Sequence, residues 1–431
     1  MNRKKYTRLL VISFSLIILI LKVYVAIVDK GFKSDLILYK NWASSFLQYG
    51  FNIYEQKIYI DYPPLYPIIL SPFVWIYENI ETLNIIGVKI LFLKIPSIIA
   101  DFISAYLIYK IIYRRTNKDV ISLLAALFYL IHPAVIINSS AWGQTDSILT
   151  TLLIGVLMLI SNKNLKGAMI ICTLAILFKP TSLLFVPLIG LLFIIYKDIK
   201  EQIISVIIFC VTTLVIVLPF KGFSLIELYL TDMNKYPRAA LNAANIHTLL
   251  GGNIIPYNEK VLGLPITFHQ MGVSLTCVFM ILIAYLIFVK RNSIGDWIFT
   301  LSWLYCTGVF MFMSGMHERY QFFGVALGLL ALFENINKIN SLSIVYILQS
   351  VIIALNQLIL LHCTKADMQK IKPLWFDLLQ STFRYLAFFN LLCFIALTAL
   401  IISNLFKAKV KEQEIDELIS HESENYNVAN Q

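Results

Sequence analysis

Charge is scarce in this chain: of 431 residues only 14% are Asp, Glu, Lys or Arg, against 59% hydrophobic, and the mean hydropathy is +0.77. That balance excludes an ordinary soluble domain, because one water-facing core cannot hide so much apolar surface. Cysteine is also sparse. The six residues at 172, 210, 277, 306, 363 and 393 contain no C-x-x-C pair, so neither a disulfide framework nor a zinc site is suggested. No D-x-D pair occurs, and the sequence requires no divalent metal or other cofactor. There is no repeat of fixed period and no pair of halves with matching broken helices, which weighs against a secondary transporter.

What is present is a series of long apolar runs. Backbone amides in hydrocarbon need partners within their own segment, and the runs do not alternate, so helices are expected rather than a β-barrel. A crossing takes roughly 20 apolar residues, or about 17 where flanking residues snorkel. About twelve runs qualify: Leu9 to Val28, Val88 to Ile112, Val120 to Ile137, Ser147 to Ile160, Gly167 to Phe178, Ser182 to Ile195, Ile203 to Phe220, Met271 to Val289, Ile294 to Met313, Phe322 to Phe333, Leu342 to Leu361 and Phe383 to Phe406. The expected fold is therefore all-α and polytopic, with residues 1–406 as one transmembrane domain and 407–431 as a polar, disordered cytoplasmic tail.

The net charge of +10 raises nucleic acid as a partner, but the Lys and Arg residues sit in short clusters beside apolar runs, where they set membrane orientation. The start, NRKKYTR before Leu9 to Val28, reads as a retained signal anchor. Leu65 to Ile76 is apolar yet opens with YPPLYP, whose prolines break helix hydrogen bonding. Kept on the outer side, it leaves Arg114, Arg115, Lys118, Lys163, Lys166, Lys290 and Arg291 on inner loops, as the positive-inside rule asks. Both termini are then cytoplasmic, and residues 29–87, 221–270 and 362–382 form long outer loops. In the first, Leu36, Tyr39, Trp42, Ala43 and Phe46 recur at helical spacing, as in an amphipathic helix lying on the membrane. The Ile, Asn and Lys richness points to an AT-rich bacterial genome, hence a multi-pass protein of the inner (plasma) membrane.

Ionisable groups at membrane depth are costly and need a solvated face or a role. Here they fall near the outer surface: Asp35, Asp61 beside Tyr62, Asp146 in WGQTDS, Lys179 in FKPTS, and His317, Glu318 and Arg319 in MHERY. Each has a plain structural reading. Asp35 suits a helix N-cap, Trp142 an interfacial anchor above a polar turn, Lys179 a snorkelling cation, and HERY an ion pair. Asp101 suits a buried hydrogen bond, with Lys94 as its partner. Taken together, a carboxylate base and several cations at one membrane face suit chemistry on a phosphorylated lipid.

The order Asp35 with Trp42, YPPLY (62–66), WGQTDS (142–147), FKP (178–180), NAANIH (242–247) and MHERY (316–320) resembles the GT-C superfamily of integral membrane glycosyltransferases. Within it the likeness is to bacterial proteins related to the second mannosyltransferase of GPI-anchor synthesis, and it covers residues 1–340. The resemblance implies inverting transfer of a hexose, mannose by family, from a polyprenyl-phosphate donor at the outer face to a lipid, glycan or protein acceptor. It implies Asp35 as catalytic base, and Lys179, His317 and Arg319 as donor-phosphate contacts. Tyr62, Pro63, Pro64, Trp142, Gln144, Asp146, Asn245 and Glu318 would line the substrate cavity. Gln321 and Thr181 depart from the usual pattern, and the shorter Thr181 side chain bears on the choice of sugar. A transporter or flippase of a lipid-linked saccharide, and a non-catalytic membrane scaffold, are the competing classes. Nucleic acid is not an expected partner.

Overall fold

The computed structural model describes residues 3–56, 58–79, 86–196, 198–233, 236–334, 339–365 and 378–405. The chain opens with α1 (Arg3–Val28), α2 (Lys33–Tyr49), a 3-10 turn (Gly50–Glu55), α3 (Leu65–Asn79) and α4 (Ile86–Thr116). It continues through α5 (Asp119–Ile131), α6 (Pro133–Trp142), α7 (Asp146–Ser161), α8 (Leu165–Ile176), α9 (Pro180–Ile194) and α10 (Ile199–Val217). After α11 (Leu225–Met233) and the short α12 (Ile246–Leu249) come α13 (Phe268–Val289), α14 (Ile298–Phe312), α15 (Phe323–Leu332), α16 (Ile339–Lys365) and α17 (Leu378–Leu405). Two short strands, β1 (Ala240–Leu241) and β2 (Met316–His317), pair in parallel. The architecture is that of a polytopic helical membrane protein. The expected tail at 407–431 and most of the loop at 362–382 lie outside the described residues.

Among the described residues six helices, α1, α4, α10, α13, α16 and α17, are long and apolar enough to cross a bilayer alone, and α5 with α6 adds a seventh if their 49° bend is taken within one span. Five shorter apolar helices, α7, α8, α9, α14 and α15, occupy the remaining expected positions. Their shortness follows from where they sit. All of α15 and all of α14 except Phe312 is buried, as expected of helices apolar on every side. A ten-residue helix such as α15 rises only about 15 Å, half of a roughly 30 Å hydrocarbon layer. Irregular backbone at that depth is tolerated only inside protein or against a cavity. By contrast α10 turns Ile203, Ile207, Val211 and Leu214 outward, where lipid would lie.

Arg115 marks one end of the bundle. It donates to the Gly295 carbonyl ahead of α14 and pairs with Glu334 after α15 at 3.3 Å. Glu334 also accepts from the Phe299 and Thr300 amides at 2.9 and 2.7 Å, where a carboxylate complements the positive end of α14. Lys94 lies about 30 Å back along α4 from Arg115, at the other end. Its ammonium lies within hydrogen-bond distance of four carbonyls, those of Ala26, Asp29, Ser140 and Ala141, at 2.7 to 3.3 Å, which share its three N–H groups, and so joins the end of α1 to the end of α6. Asp101 therefore does not pair with Lys94. Its partner is Lys22 of α1 at 2.8 Å, both side chains fully buried, because Lys94 is drawn to carbonyls left open at two helix ends.

Next to Lys94 the chain turns through Gly143 at φ +83°, and a Cβ there would meet Leu36 Cδ2 at 2.9 Å and Lys94 Cγ at 3.1 Å. Gly143→Ala is expected to destabilise the fold by about 1 kcal/mol or more. Thermal unfolding in detergent measures this, and an unchanged midpoint would contradict it.

Candidate active site

Three helix breaks meet at the Lys94 end: Gly143 to Thr145 between α6 and α7, Leu177 to Lys179 between α8 and α9, and Met313 to Phe322 between α14 and α15. The first follows a π-helical stretch over Ile136–Trp142, an irregular winding that is common at functional sites. Asp146 stands in the first turn of α7 and Lys179 just past the end of α8, so each charge complements its own helix dipole. They face each other, with Lys179 Nζ 2.5 Å from Asp146 Oδ1, both essentially buried. Lys179 is therefore not a snorkelling cation.

Asp146 is shared. Asn138 Nδ2 donates to its Oδ2 at 3.1 Å, and Arg319 Nε approaches the same oxygen at 3.7 Å. Arg319 also donates to Glu318 Oε1 at 2.7 Å and lies 5.8 Å from the Trp142 ring. His317 Nδ1 is 3.7 Å from Glu318 Oε2. Of the two cations, Lys179 is sealed at 2% exposure whereas the Arg319 side chain is 14% exposed, so Arg319 is the one a ligand can reach directly. The ion pair read from HERY is present, but it is one edge of a larger network.

α2 supplies the opposite wall. Its apolar face, Leu36, Tyr39, Trp42 and Ala43, is buried as the spacing predicts. Tyr39, Trp42, Tyr62 and Tyr66 form one aromatic cluster with centroids 4.9 to 6.4 Å apart. Tyr62, Pro63 and Pro64 are buried beside it, the Leu65 amide donates to the Leu177 carbonyl at 3.1 Å, and Lys179 Nζ lies 5.9 Å from the Tyr62 ring. The N-cap position of α2 is Phe32, with no side-chain cap, and Asp35 lies inside the first turn, so Asp35 is not an N-cap. Its Oδ2 instead accepts from Gln144 Nε2 at 2.5 Å, and the half-buried carboxylate is within electrostatic reach of His317 and Arg319.

Two further expectations change. Trp142 is 2% exposed and packs under Arg319 and against Phe32, so it is no interfacial anchor. Asn245 is fully buried; its Oδ1 caps α12 at Thr248 and its Nδ2 donates to the Phe310 carbonyl, which leaves its amide facing no cavity. The structure adds Tyr39, Asn138 and Gln357 to the site. Asn138 Nδ2 donates to Gln357 Oε1 at 3.0 Å as well as to Asp146, and the signal available was the Asn356–Gln357 pair among the apolar residues of the second half of α16.

Burial pushes the His317 imidazole below its ordinary value near 6.5, with Glu318 pulling the other way. Glu318 is pushed up by burial but pulled down harder by Arg319 and His317, and ends below its ordinary value near 4.5. Both groups bind fewer protons folded than unfolded, so the stability they contribute is full above those ordinary values and is lost as pH falls. Acidification from pH about 7.5 to about 5.5 should remove the part of the stability that His317 contributes, read in the unfolding midpoint. His317→Gln should show a flatter dependence; equal slopes in the two proteins would sink the assignment.

Against known families, residues 71–223 match dolichyl-phosphate-mannose-protein mannosyltransferase. The stretch is about a third of the chain. It takes in Trp142, Gln144, Asp146 and Lys179 and leaves out Asp35, His317, Glu318 and Arg319. With the helical membrane architecture, this likeness supports a membrane glycosyltransferase of the GT-C type.

Proposed function

We propose that the protein transfers a hexose from a polyprenyl-phosphate donor to an acceptor hydroxyl at the outer membrane face, with Asp35 as general base. The observation that carries this reading is the opposition of a half-buried carboxylate on α2 and a partly open Arg319, backed by Lys179 across the shared Asp146. In such a reaction Asp35 takes the acceptor proton, the acceptor oxygen bonds to sugar C1 from the opposite face, and the C1–O bond to phosphate breaks. The electron pair leaves with the phosphate, which changes from a monoanionic diester towards a dianionic monoester. Arg319, with Lys179 behind it, meets this added negative charge more strongly in the transition state than in the ground state, which is the condition for catalysis rather than mere binding. His317 and Glu318 hold Arg319 in place and shape the phosphate side, while Tyr62, Pro63 and Pro64 line the lipid side. Mannose is the sugar suggested by the family likeness.

The basic loops around Arg115, Lys163, Lys166, Lys290 and Arg291 support an orientation with this site outside and both termini in the cytoplasm. Incubation of the purified protein with labelled polyprenyl-phosphate hexoses and a pool of membrane lipids should give a labelled product of inverted anomeric configuration. Retention of configuration, or labelling from nucleotide sugars alone, would overturn the reading.

A further inference from the structure

The two oxygens of the Asp35 carboxylate are not equivalent. Oδ2 accepts from Gln144 Nε2 at 2.5 Å, while Oδ1 has no hydrogen-bond partner among the described residues. Gln144 itself cannot turn. Its Oε1 accepts from the Tyr39 hydroxyl at 3.1 Å, and a reversed amide would aim that carbonyl at a carboxylate. Burial pushes the Tyr39 phenol well above its ordinary value of 10, so it remains an O–H donor. The Gln144 backbone is held as well. Its carbonyl accepts from Ser97 of α4 at 2.7 Å, and its amide donates to the Asn138 carbonyl at 2.9 Å. The side chain is wholly buried, which leaves no surface for a sugar to touch. Gln144 therefore fits poorly as the substrate-shell ligand that the family resemblance implies.

We propose that Gln144 is a positioning residue that makes Asp35 Oδ1 the atom that receives the acceptor's proton. This rests on the transferase reading above. Oδ2 already accepts one hydrogen bond and Oδ1 accepts none, so Oδ1 is the oxygen with both lone pairs free for the acceptor; the acceptor O–H bond breaks, Oδ1–H forms, and the acceptor's electron pair goes into the new bond to sugar C1. The neutral acid so formed keeps its carbonyl at Oδ2, which still accepts from Gln144. The hydrogen bond therefore survives the transfer, and no reorganisation accompanies the step.

The test uses the full-length protein with the labelled polyprenyl-phosphate donor. Gln144→Leu, which keeps the volume but removes the donor, should lower kcat about 10- to 100-fold. The donor KM should stay unchanged, and the solvent deuterium isotope effect on kcat should rise as proton transfer becomes limiting. Tyr39→Phe removes one hydroxyl and should move kcat and the isotope effect in the same direction by less; it carries the test if Gln144→Leu does not fold. A raised donor KM with kcat retained, or a fall in kcat with an unchanged isotope effect, would overturn the proposal. Failure of the underlying reading is separable, because it appears as full turnover in Asp35→Asn whatever the Gln144 variants do.

Discussion

Asp35→Asn should lose transfer by 10²- to 10⁴-fold, roughly what a positioned general base contributes, while inserting and unfolding as the parent does. The asparagine has nearly the same shape, and its carbonyl can still accept from Gln144 Nε2, so the contact that holds the side chain at 2.5 Å persists. What is lost is an oxygen able to take a proton. Asp35 is half-buried and caps no helix, so the fold has little to lose from the change. Turnover of a labelled donor together with an unfolding midpoint separates the two effects. Turnover equal to the parent would remove Asp35 as the base. A collapse of stability would show that its role is structural.

Lys22→Met is expected to cost about 3–5 kcal/mol of stability, because it strands Asp101 as an unpaired charge in the bundle interior. The pair joins α1 to α4, and Lys22 also lies 3.4 Å from Ser139 of the π-helical stretch, so the loss should reach the site as well. Asp101 is already only half satisfied, since its Oδ1 has no hydrogen-bond partner among the described residues. Adding Asp101→Leu to Lys22→Met should restore most of the loss, since the desolvation cost of both charges disappears along with their attraction. Unfolding of the single and double variants in bicelles measures this. A double variant no more stable than the single would show that the pair is net stabilising by itself. The pair is sealed on both sides rather than lining a path, which favours a structural role for it over a transport step.

The membrane class, the positions of the helices and the amphipathic face of α2 were all legible in the sequence, because each depends on local apolar run length or helical spacing. The buried set Leu36, Tyr39, Trp42 and Ala43 follows directly from that spacing. So did the choice of Asp35, Asp146, Lys179 and Arg319, since an ionisable group among apolar neighbours stands out by its cost alone. What those groups do to one another was not legible. Asp101 sits one or two helical turns from Lys94 in sequence yet pairs with Lys22, 79 positions away. Lys179 meets Asp146 across a gap of 33 positions, and Gln144 meets Asp35 across 109. A side chain's residue type sets whether it needs a partner, and this need is local; which partner answers it depends on where helix ends leave carbonyls and carboxylates facing each other. That is decided only when the helices pack, and so the sequence by itself determined a lipid-embedded helical frame and its costly charges, while the tertiary structure alone decided that Arg319 is open, Lys179 closed and Asp35 held by Gln144.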